Sequence, residues 1–164
     1  MPKKLSELGF RFIRRRFKEE WNITRNDVSH ALLVARTNFI LFDDDKLIGW
    51  LGLEPDREFT NACIEKGYHG TRLLRLMVRH ALSNLPNASY FAFVPIWRTG
   101  SARAFIANGF CLNADPRVVV HAYPEGDIEL VNLERIASPL AKVSNATVKN
   151  ELDSIRRLQD GTLN

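Results

Sequence analysis

The feature that most constrains the fold of this chain is an apolar stretch between Phe39 and Leu53 that three consecutive aspartates interrupt. The residues on either side, 39–42 and 46–53, have the composition of strands, and residues 43–45 form a polar turn between them. The stretch therefore predicts an antiparallel β-hairpin. We interpret the aspartates as a solvated turn and not as a metal site, because no second group of ligands follows at loop spacing.

Similar patterns of apolar residues continue through the rest of the 164-residue chain. Spacings of three and four predict helices at 5–21, 30–33, 71–83, 101–108 and 147–158, the second of them capped by Asn26 and Asp27. Further strands are expected at 57–64 and 89–94, and a second hairpin joins 117–123 to 127–133. This order predicts an α+β (mixed α/β) fold with one largely antiparallel sheet, in a single domain of residues 1–164.

Basic residues are concentrated in two parts of the chain, although the formal net charge is only +4. Residues 1–40 contain nine Lys or Arg against four Asp or Glu, and residues 71–110 contain five arginines and no acidic residue. Such blocks suit an anionic ligand or a nucleic-acid backbone, and they also occur as solvated helix faces. The charge by itself leaves both interpretations open.

The helix expected at 71–83 begins where an anion would bind. Arg72, Arg75 and Arg79 share one side of it, opposite an apolar stripe. A start at Gly70 and Thr71 directs free N–H groups and the positive end of the helix dipole at whatever lies before the helix. This arrangement suits a pyrophosphate, and Arg72 and Arg75 add positive charge near the same point.

Three segments carry a resemblance to a known family through their order and spacing. They are residues 48–53 (Ile-Gly-Trp-Leu-Gly-Leu), 62–70 (Ala-Cys-Ile-Glu-Lys-Gly-Tyr-His-Gly) and 101–110 (Ser-Ala-Arg-Ala-Phe-Ile-Ala-Asn-Gly-Phe). They resemble the third strand, the fourth strand with its CoA pyrophosphate loop, and the late helix with its closing Gly-Phe of the GNAT superfamily of CoA-dependent acyltransferases. The resemblance covers residues 36–133 and implies a central, mostly antiparallel twisted sheet flanked by helices. Residues 1–35 would form N-terminal helices, and residues 134–164 a C-terminal helical extension.

The resemblance also implies a binding site for acetyl-CoA as co-substrate, without a metal. Backbone N–H groups near Cys63 and Ile64 would polarise the acyl carbonyl, and the loop and helix start would hold the pyrophosphate. The cofactor-binding residues implied in this way are Cys63, Ile64, His69, Gly70, Thr71, Arg72, Leu73, Leu74, Ser101 and Phe105.

The chain departs from the family pattern at two places. Arg72 and Leu74 stand where the family loop usually has glycines, which let the diphosphate approach the backbone closely. Arg72 is instead a candidate to bind a phosphate itself. Phe105 stands where many relatives carry a tyrosine that gives a proton to the leaving thiolate, and a phenyl ring has no such proton.

Glu58 holds the position that matches the family's general base, and Glu54, at the end of the preceding strand, is the substitute. A carboxylate whose pKa is raised by burial takes a proton from an attacking ammonium, directly or through water. The implied reaction is direct attack of an amine on an acyl thioester, with no covalent enzyme intermediate. Both residues also fit the description of exposed strand-end acids.

Two other functions stay open. One is a non-catalytic binding or structural protein with this fold, such as a phage or assembly component, which the missing glycines and Phe105 favour. The other is a basic module directed at nucleic acid or tRNA. Arg14, Arg15 and Arg16 interleave with aromatic residues in the first helix and are candidates to contact RNA or another acidic partner. The acceptor of an acyltransferase would be a small-molecule or peptide amine.

The cysteines and histidines carry no sign of a metal or disulfide site. Cys63 and Cys111 are expected to be buried small hydrophobes, and two cysteines favour a reducing, cytoplasmic location. No apolar run is long enough for a transmembrane helix, and we expect no contact with a membrane. Residues 134–164 have two open roles, packing on the domain or forming the contact of a homodimer.

Overall fold

The computed structural model describes residues 1–95, 99–113, 119–140 and 143–159. The strands within these ranges are β1 (Thr37–Asp43), β2 (Lys46–Leu53), β3 (Glu58–Ile64), β4 (Tyr90–Pro95), β5 (Cys111–Leu112), β6 (Val119–Tyr123) and β7 (Gly126–Arg135). The helices are α1 (Lys3–Trp21), α2 (His30–Val34), α3 (Leu73–Ser83), α4 (Thr99–Ile106) and α5 (Asn145–Gln159), with a short 3₁₀ turn at Lys66–Tyr68.

These strands form one sheet in the order β1-β2-β3-β4-β7-β5, and β6 pairs with β7. The pairing of β3 with β4 is parallel, and the other pairings are antiparallel. Helices lie on both faces of the sheet. The expected α+β fold with a mostly antiparallel central sheet is therefore confirmed.

The first predicted hairpin is present. β1 pairs with β2 from Thr37 opposite Leu53 to Asp43 opposite Lys46, and the turn leaves Asp44 exposed. After its first residue β2 is buried throughout. A strand covered on both faces needs continuous apolar residues in place of an alternating pattern, which is what the sequence of β2 provides.

The helices bury two apolar clusters, one on each face of the sheet. The larger cluster joins α3, α4 and α5 to the sheet around residues such as Phe59 and Leu73. The other cluster joins α1 and α2 to the opposite face around Trp50, which is fully buried. Gly9 of α1 faces the Trp50 ring, and a Cβ at that position would lie 2.3 Å from Trp50 Cη2. The glycine thus allows α1 to approach the sheet closely.

The N-terminal cap of α2 differs from the prediction. Ser29 is the capping residue, and its hydroxyl oxygen accepts a hydrogen bond from the Leu32 N–H at 3.4 Å. Asn26 and Asp27 lie further upstream, and Asp27 instead accepts from Arg25. All of these residue types are good caps, so the choice among them depends on where the chain turns into the helix.

Several boundaries also differ from the sequence pattern. β3 begins at Glu58, because Arg57 has a φ of 74° and belongs to the preceding turn. α3 begins at Leu73 and not at residue 71. Residues 117–118 of the second predicted hairpin lie outside the described ranges, and its remaining part is confirmed as β6 and β7. No helix in the described ranges is both long enough and apolar enough to cross a membrane.

The C-terminal helix packs on the domain. Leu152 and Ile155 of α5 belong to the larger apolar cluster, and Arg156 forms ion pairs with Asp43 and Asp44 at the end of the first hairpin. Two roles were left open for residues 134–164, and α5 fills the first of them by packing on the domain. A homodimer contact stays a prediction.

Candidate active site

Most of the predicted site residues lie around a gap between β3 and β4. Among the described residues, the two strands pair only where Glu58 lies opposite Phe91 and Phe59 opposite Ala92. Beyond these pairs the strands diverge, and a cavity opens on each side of the gap. Three residues line both cavities, and they are Trp21, Ala62 and Ser101.

The first cavity, which we call the loop-side cavity, has a volume of about 670 Å³ and lies between the end of β3, the loop before α3, and α4. Eight of the ten predicted cofactor-binding residues line it, namely Cys63, Ile64, His69, Gly70, Thr71, Arg72, Leu74 and Ser101. Leu73 is fully buried in the apolar core instead, and Phe105 lines the second cavity.

The loop before α3 is shaped by one glycine and one hydroxyl group. Gly70 has a φ of 74°, a conformation that favours glycine. Thr71 Oγ1 donates to the carbonyl oxygen of Tyr68 at 2.5 Å and accepts from the Leu73 N–H at 3.3 Å. The next N–H groups of the first helical turn have no acceptor inside a helix, and Leu74 and Arg75, which carry two of them, line the cavity.

Positive charge dominates the loop-side cavity. Arg72, Arg75 and Arg103 line it, and Glu20 is the acidic residue among its described lining. Glu20 is itself engaged by Arg16, whose Nη2 lies 2.7 Å from a carboxylate oxygen. The cavity is therefore suited to an anionic ligand, which accounts for part of the acid-free basic block at 71–110.

A β-bulge in β3 lies between the two cavities. Trp50 pairs with Cys63 but Gly52 pairs with Thr60, so β3 has one residue more than β2 across this interval. Asn61 in the bulge is buried with a φ of 56°, and its Oδ1 accepts from Arg25 Nη2 at 2.7 Å. A bulge interrupts ladder pairing locally and so makes backbone groups available near the gap.

The second cavity, which we call the Glu58-side cavity, has a volume of about 330 Å³ and lies on the other side of the gap. Glu58 lines it and is half-buried. Burial raises the pKa of the Glu58 carboxyl above its usual value, the nearby charges of Asp56 and Glu54 act in the same direction, and Arg36 opposes them. Glu54 lies outside the described lining of this cavity, 2.5 Å from Arg36 Nη2 in an ion pair.

Phe105 and Ser101 lie one turn apart on α4. Phe105 is 2% exposed and packs edge-on against Phe110, with the ring centroids 5.1 Å apart. Ser101 Oγ is buried, and it has no hydrogen-bond partner in the described part of the chain. Among the described residues, this hydroxyl group at the junction of the two cavities is therefore without a partner, on the helix that carries Phe105.

Cys63 and Cys111 differ in burial. Cys63 is 5% exposed, as expected, and burial raises the pKa of its thiol to about 12. The thiol therefore stays protonated and is a poor nucleophile. Cys111 is exposed, so the prediction that it is buried is wrong. β5, which begins with it, is only two residues long, and both of its side chains are exposed.

The arginines of α1 have partners within the chain. Arg14 donates to backbone carbonyl oxygens of the loop after α1, and Arg15 donates to Glu65 at 2.6 Å. Arg16 is 2% exposed and donates to the Ile64 carbonyl oxygen at 3.0 Å. These contacts give the first basic block a structural role. Contact with RNA or another acidic partner stays a prediction.

Sequence reasoning missed three polar residues near the gap. Arg25, in the loop after α1, donates a hydrogen bond to Asn61 in the bulge of β3. Arg36 lies near Glu58 in the wall of the Glu58-side cavity. An asparagine within an apolar strand was the available signal for Asn61, because asparagine tolerates positive φ better than most residues. The described ranges of the chain contain no group of three His, Cys, Asp or Glu side chains that could hold a metal ion.

Comparison with known proteins identifies the fold. No protein-family model and no curated protein sequence matches the chain. Among solved structures, the ribosomal-protein-S18-alanine N-acetyltransferase of Escherichia coli superposes with a TM-score of 0.65 and 14% identity over 88% of this chain and 95% of that one. A GCN5-related N-acetyltransferase from Rhodopseudomonas palustris has a TM-score of 0.63 and 10% identity over 83% and 92% of the two chains.

A spermidine N-acetyltransferase from Vibrio cholerae is also similar, with a TM-score of 0.58 and 17% identity over 79% of this chain and 90% of that one. All of these identities are low, so the likeness concerns the arrangement of the backbone. The chain has the fold of the GCN5-related, or GNAT, N-acetyltransferases, as its three sequence segments predict.

Proposed function

We propose that this protein transfers an acetyl group from acetyl-CoA to an amine by direct attack. The observation that carries the proposal is the meeting of two chemically different cavities at the gap between β3 and β4. One is lined by three arginines and a helix start, and the other by a half-buried carboxylate with a raised pKa. A bound thioester and an amine would meet beside Ala62 and Ser101.

The loop-side cavity fits the anionic part of CoA. The free N–H groups at the start of α3 and the guanidinium groups of Arg72, Arg75 and Arg103 are suited to phosphate oxygens. Gly70, two residues before the first of the two missing glycines, supplies a glycine-type backbone in this loop. The exposed Arg72 would replace close backbone approach with a charged contact, so the departures at Arg72 and Leu74 are compatible with binding.

Acetyl-CoA supplies an electrophilic carbonyl carbon and a thiolate leaving group. Glu58 takes one proton from the ammonium of the acceptor, directly or through water, and leaves the nitrogen lone pair free to attack. Backbone N–H groups beside the bulge, near Cys63 and Ile64, stabilise the negative charge on the carbonyl oxygen. As the N–C bond forms, the C–S bond breaks, and the second proton of the nitrogen passes through water to the leaving thiolate, which gives the amide and the free CoA thiol. Glu58 then returns its proton to solvent. Because Phe105 has no proton to give, the thiolate depends on this route.

Binding of acetyl-CoA is tested by thermal denaturation. A ligand present at one hundred times its dissociation constant should raise the unfolding free energy by about 2.7 kcal/mol. Arg72→Ala and Arg75→Ala should each weaken binding about tenfold, whereas Arg11→Ala, an exposed arginine of α1, should not. If acetyl-CoA and longer acyl-CoAs produce no shift at any concentration, the proposal is wrong.

Transfer is tested separately from binding. We expect acetyl-CoA and a panel of amines to give free CoA thiol and a product heavier by one acetyl group in mass spectrometry. Binding without transfer to any small-molecule or peptide amine would favour the alternative of a non-catalytic binding protein, for which the absence of a tyrosine at position 105 is the supporting observation. The cytoplasmic location stays a prediction from the two cysteines.

A further inference from the structure

We propose that the acceptor is a monoamine with an apolar body of about the size of an aromatic ring, such as an arylalkylamine. The inference deepens the proposed function and rests on it. It follows from the charges and the aromatic side chains that line the Glu58-side cavity, whose volume of about 330 Å³ leaves room for a ring and a short amine chain.

The first observation concerns charge. Within the described lining, the charged side chains are Arg25, Asp27, Arg36 and Glu58. Arg25 holds Asp27 through two hydrogen bonds, of 2.9 and 3.0 Å. Arg36 is paired with Glu54 just outside the lining. Glu58 is left as the carboxylate without an ion pair among these residues, so the described lining has one place for a cationic amine.

A second ammonium group would have no comparable partner in the part of the cavity wall that the structure describes. Asp27 is already engaged on both carboxylate oxygens by Arg25, and these contacts lower the pKa of its carboxyl in spite of burial. A polyamine would therefore leave its remaining charges unpaired in a cavity walled mainly by apolar groups, which is unfavourable. The described lining therefore favours an acceptor with a single charge.

A carboxylate on the acceptor would also lack a partner among the described residues of the wall. Arg36 Nε and Nη1 have no hydrogen-bond partner in the described chain, but both atoms are fully buried and do not reach the cavity surface. Arg25 is 7% exposed, and its Nη2 is shared between Asp27 and Asn61. Neither guanidinium group is open to an amino-acid carboxylate, so an amine without a carboxylate fits better.

The second observation concerns the walls. Aromatic side chains from five elements line the cavity: Phe17 and Trp21 from α1, Phe59 from β3, Phe93 from β4, Phe105 from α4 and Tyr123 from β6. Phe17 and Trp21 already meet edge to face, with centroids 4.1 Å apart. Aromatic walls favour an aromatic guest, because rings pack edge-on or offset and both partners leave water. The body attached to the amine should therefore be a ring.

The direct test is a comparison of acceptors that differ in one property each. 2-Phenylethylamine has the ring and one charge, phenylalanine adds a carboxylate, and spermidine has several charges and no ring. With saturating acetyl-CoA, we expect kcat/KM for 2-phenylethylamine to exceed that for the other two by at least about tenfold, which corresponds to roughly 1.4 kcal/mol. Equal or higher values for phenylalanine or spermidine would overturn the inference, as would acetylation of a peptide N-terminus in preference to all three.

Two variants locate the effect in the cavity. Phe93→Ala should raise KM for 2-phenylethylamine about tenfold and change kcat little, because it removes one wall of the cavity. Phe91→Ala is the matched control: Phe91 lies on the same strand, with its ring centroid 5.8 Å from that of Phe93, but outside the described lining. Equal effects of the two substitutions would show that the wall does not select the acceptor.

Binding of the amine without turnover separates this inference from the proposed function. We expect 2-phenylethylamine to raise Tm more than spermidine does at the same concentration, and we expect Phe93→Ala, but not Phe91→Ala, to abolish the shift. If this order is seen without acetyl transfer, the acceptor class stands and the transfer proposal fails. If transfer occurs and the order is reversed, only the acceptor class is wrong.

Discussion

Replacement of Glu58 by glutamine removes the proposed base while keeping the size and polarity of the side chain. A positioned general base contributes about 10²–10⁴-fold to a proton transfer. Glu58 is half-buried and has no ion pair among the described residues, and burial raises its pKa toward the working pH. All three properties favour a base, so we expect kcat to fall at least about 100-fold, or about 2.7 kcal/mol in activation free energy.

The pH profile is a second readout of the same substitution. In the wild-type protein kcat/KM should fall as pH drops through the raised pKa of Glu58, because the protonated carboxyl cannot accept the ammonium proton. The pH at which this fall occurs should lie above the ordinary pKa range of a glutamate. The fall should be missing in Glu58→Gln, whose kcat/KM rises with pH only because the ammonium group of the acceptor loses its proton in solution. The tests are initial rates of thiol release at several pH values and a check that acetyl-CoA shifts Tm equally in both proteins.

Glu54→Gln distinguishes the two carboxylates that the sequence put forward. Because Glu54 is ion-paired with Arg36 but partly exposed, its replacement should lower stability by about 1 kcal/mol while kcat of the folded protein is retained. Asp45→Asn, in the exposed turn of the first hairpin, should change neither property. Activity of Glu58→Gln within a few-fold of wild type, or a 100-fold loss in folded Glu54→Gln, would refute the assignment of the base.

Three further predictions concern stability. Gly9→Ala should destabilise the protein by about 1–2 kcal/mol in denaturant unfolding, because overpacking against the Trp50 ring, with a Cβ 2.3 Å from Cη2, outweighs the gain in helix propensity. Gly100→Ala should instead stabilise it by about 0.4–1 kcal/mol, since no described atom lies within 4 Å of the new Cβ, and a loss of stability there would contradict the packing around α4. Glu65→Gln should lower Tm at neutral pH, because the hydrogen bond from Arg15 lowers the pKa of Glu65 to about 2. This contribution is present above the ordinary carboxyl pKa and is lost as pH falls toward about 2, so the Tm difference should disappear over that interval; a constant difference would mean that the charge of Glu65 is not responsible.

The elements near the candidate site were predictable where the signal is local. The hairpin of β1 and β2, the arginine-rich α3 and the short α4 all follow from periodicity and turn residues in single segments. The bulge in β3 was not predictable, because it depends on which residues of β2 lie opposite Thr60 and Cys63. Pairing between strands is a property of two segments, and neither sequence contains it alone.

The two basic blocks show the same division. Both were visible as runs of arginine, and from the sequence they were equivalent candidates for an anionic partner. In the structure Arg16 is buried and donates hydrogen bonds to Glu20 and to the Ile64 carbonyl oxygen, whereas Arg72 and Arg75 line an open cavity. The difference lies in whether acidic and carbonyl groups from distant parts of the chain reach each guanidinium group, which only the folded arrangement decides.

The sequence by itself determined the class of fold and the arginine-rich helix that follows Gly70, and its resemblance to the GNAT family supplied the two candidate carboxylates. Local propensity and hydrophobic period are encoded residue by residue, so the fold class and the helix follow from single segments. Only the tertiary structure decided that Glu58 lines a cavity, whereas Glu54 forms an ion pair with Arg36. It also decided that Ser101 lies where the two cavities meet. Burial, ion pairing and the meeting of the two cavities are relations between distant segments, so they depend on how the strands and helices pack together.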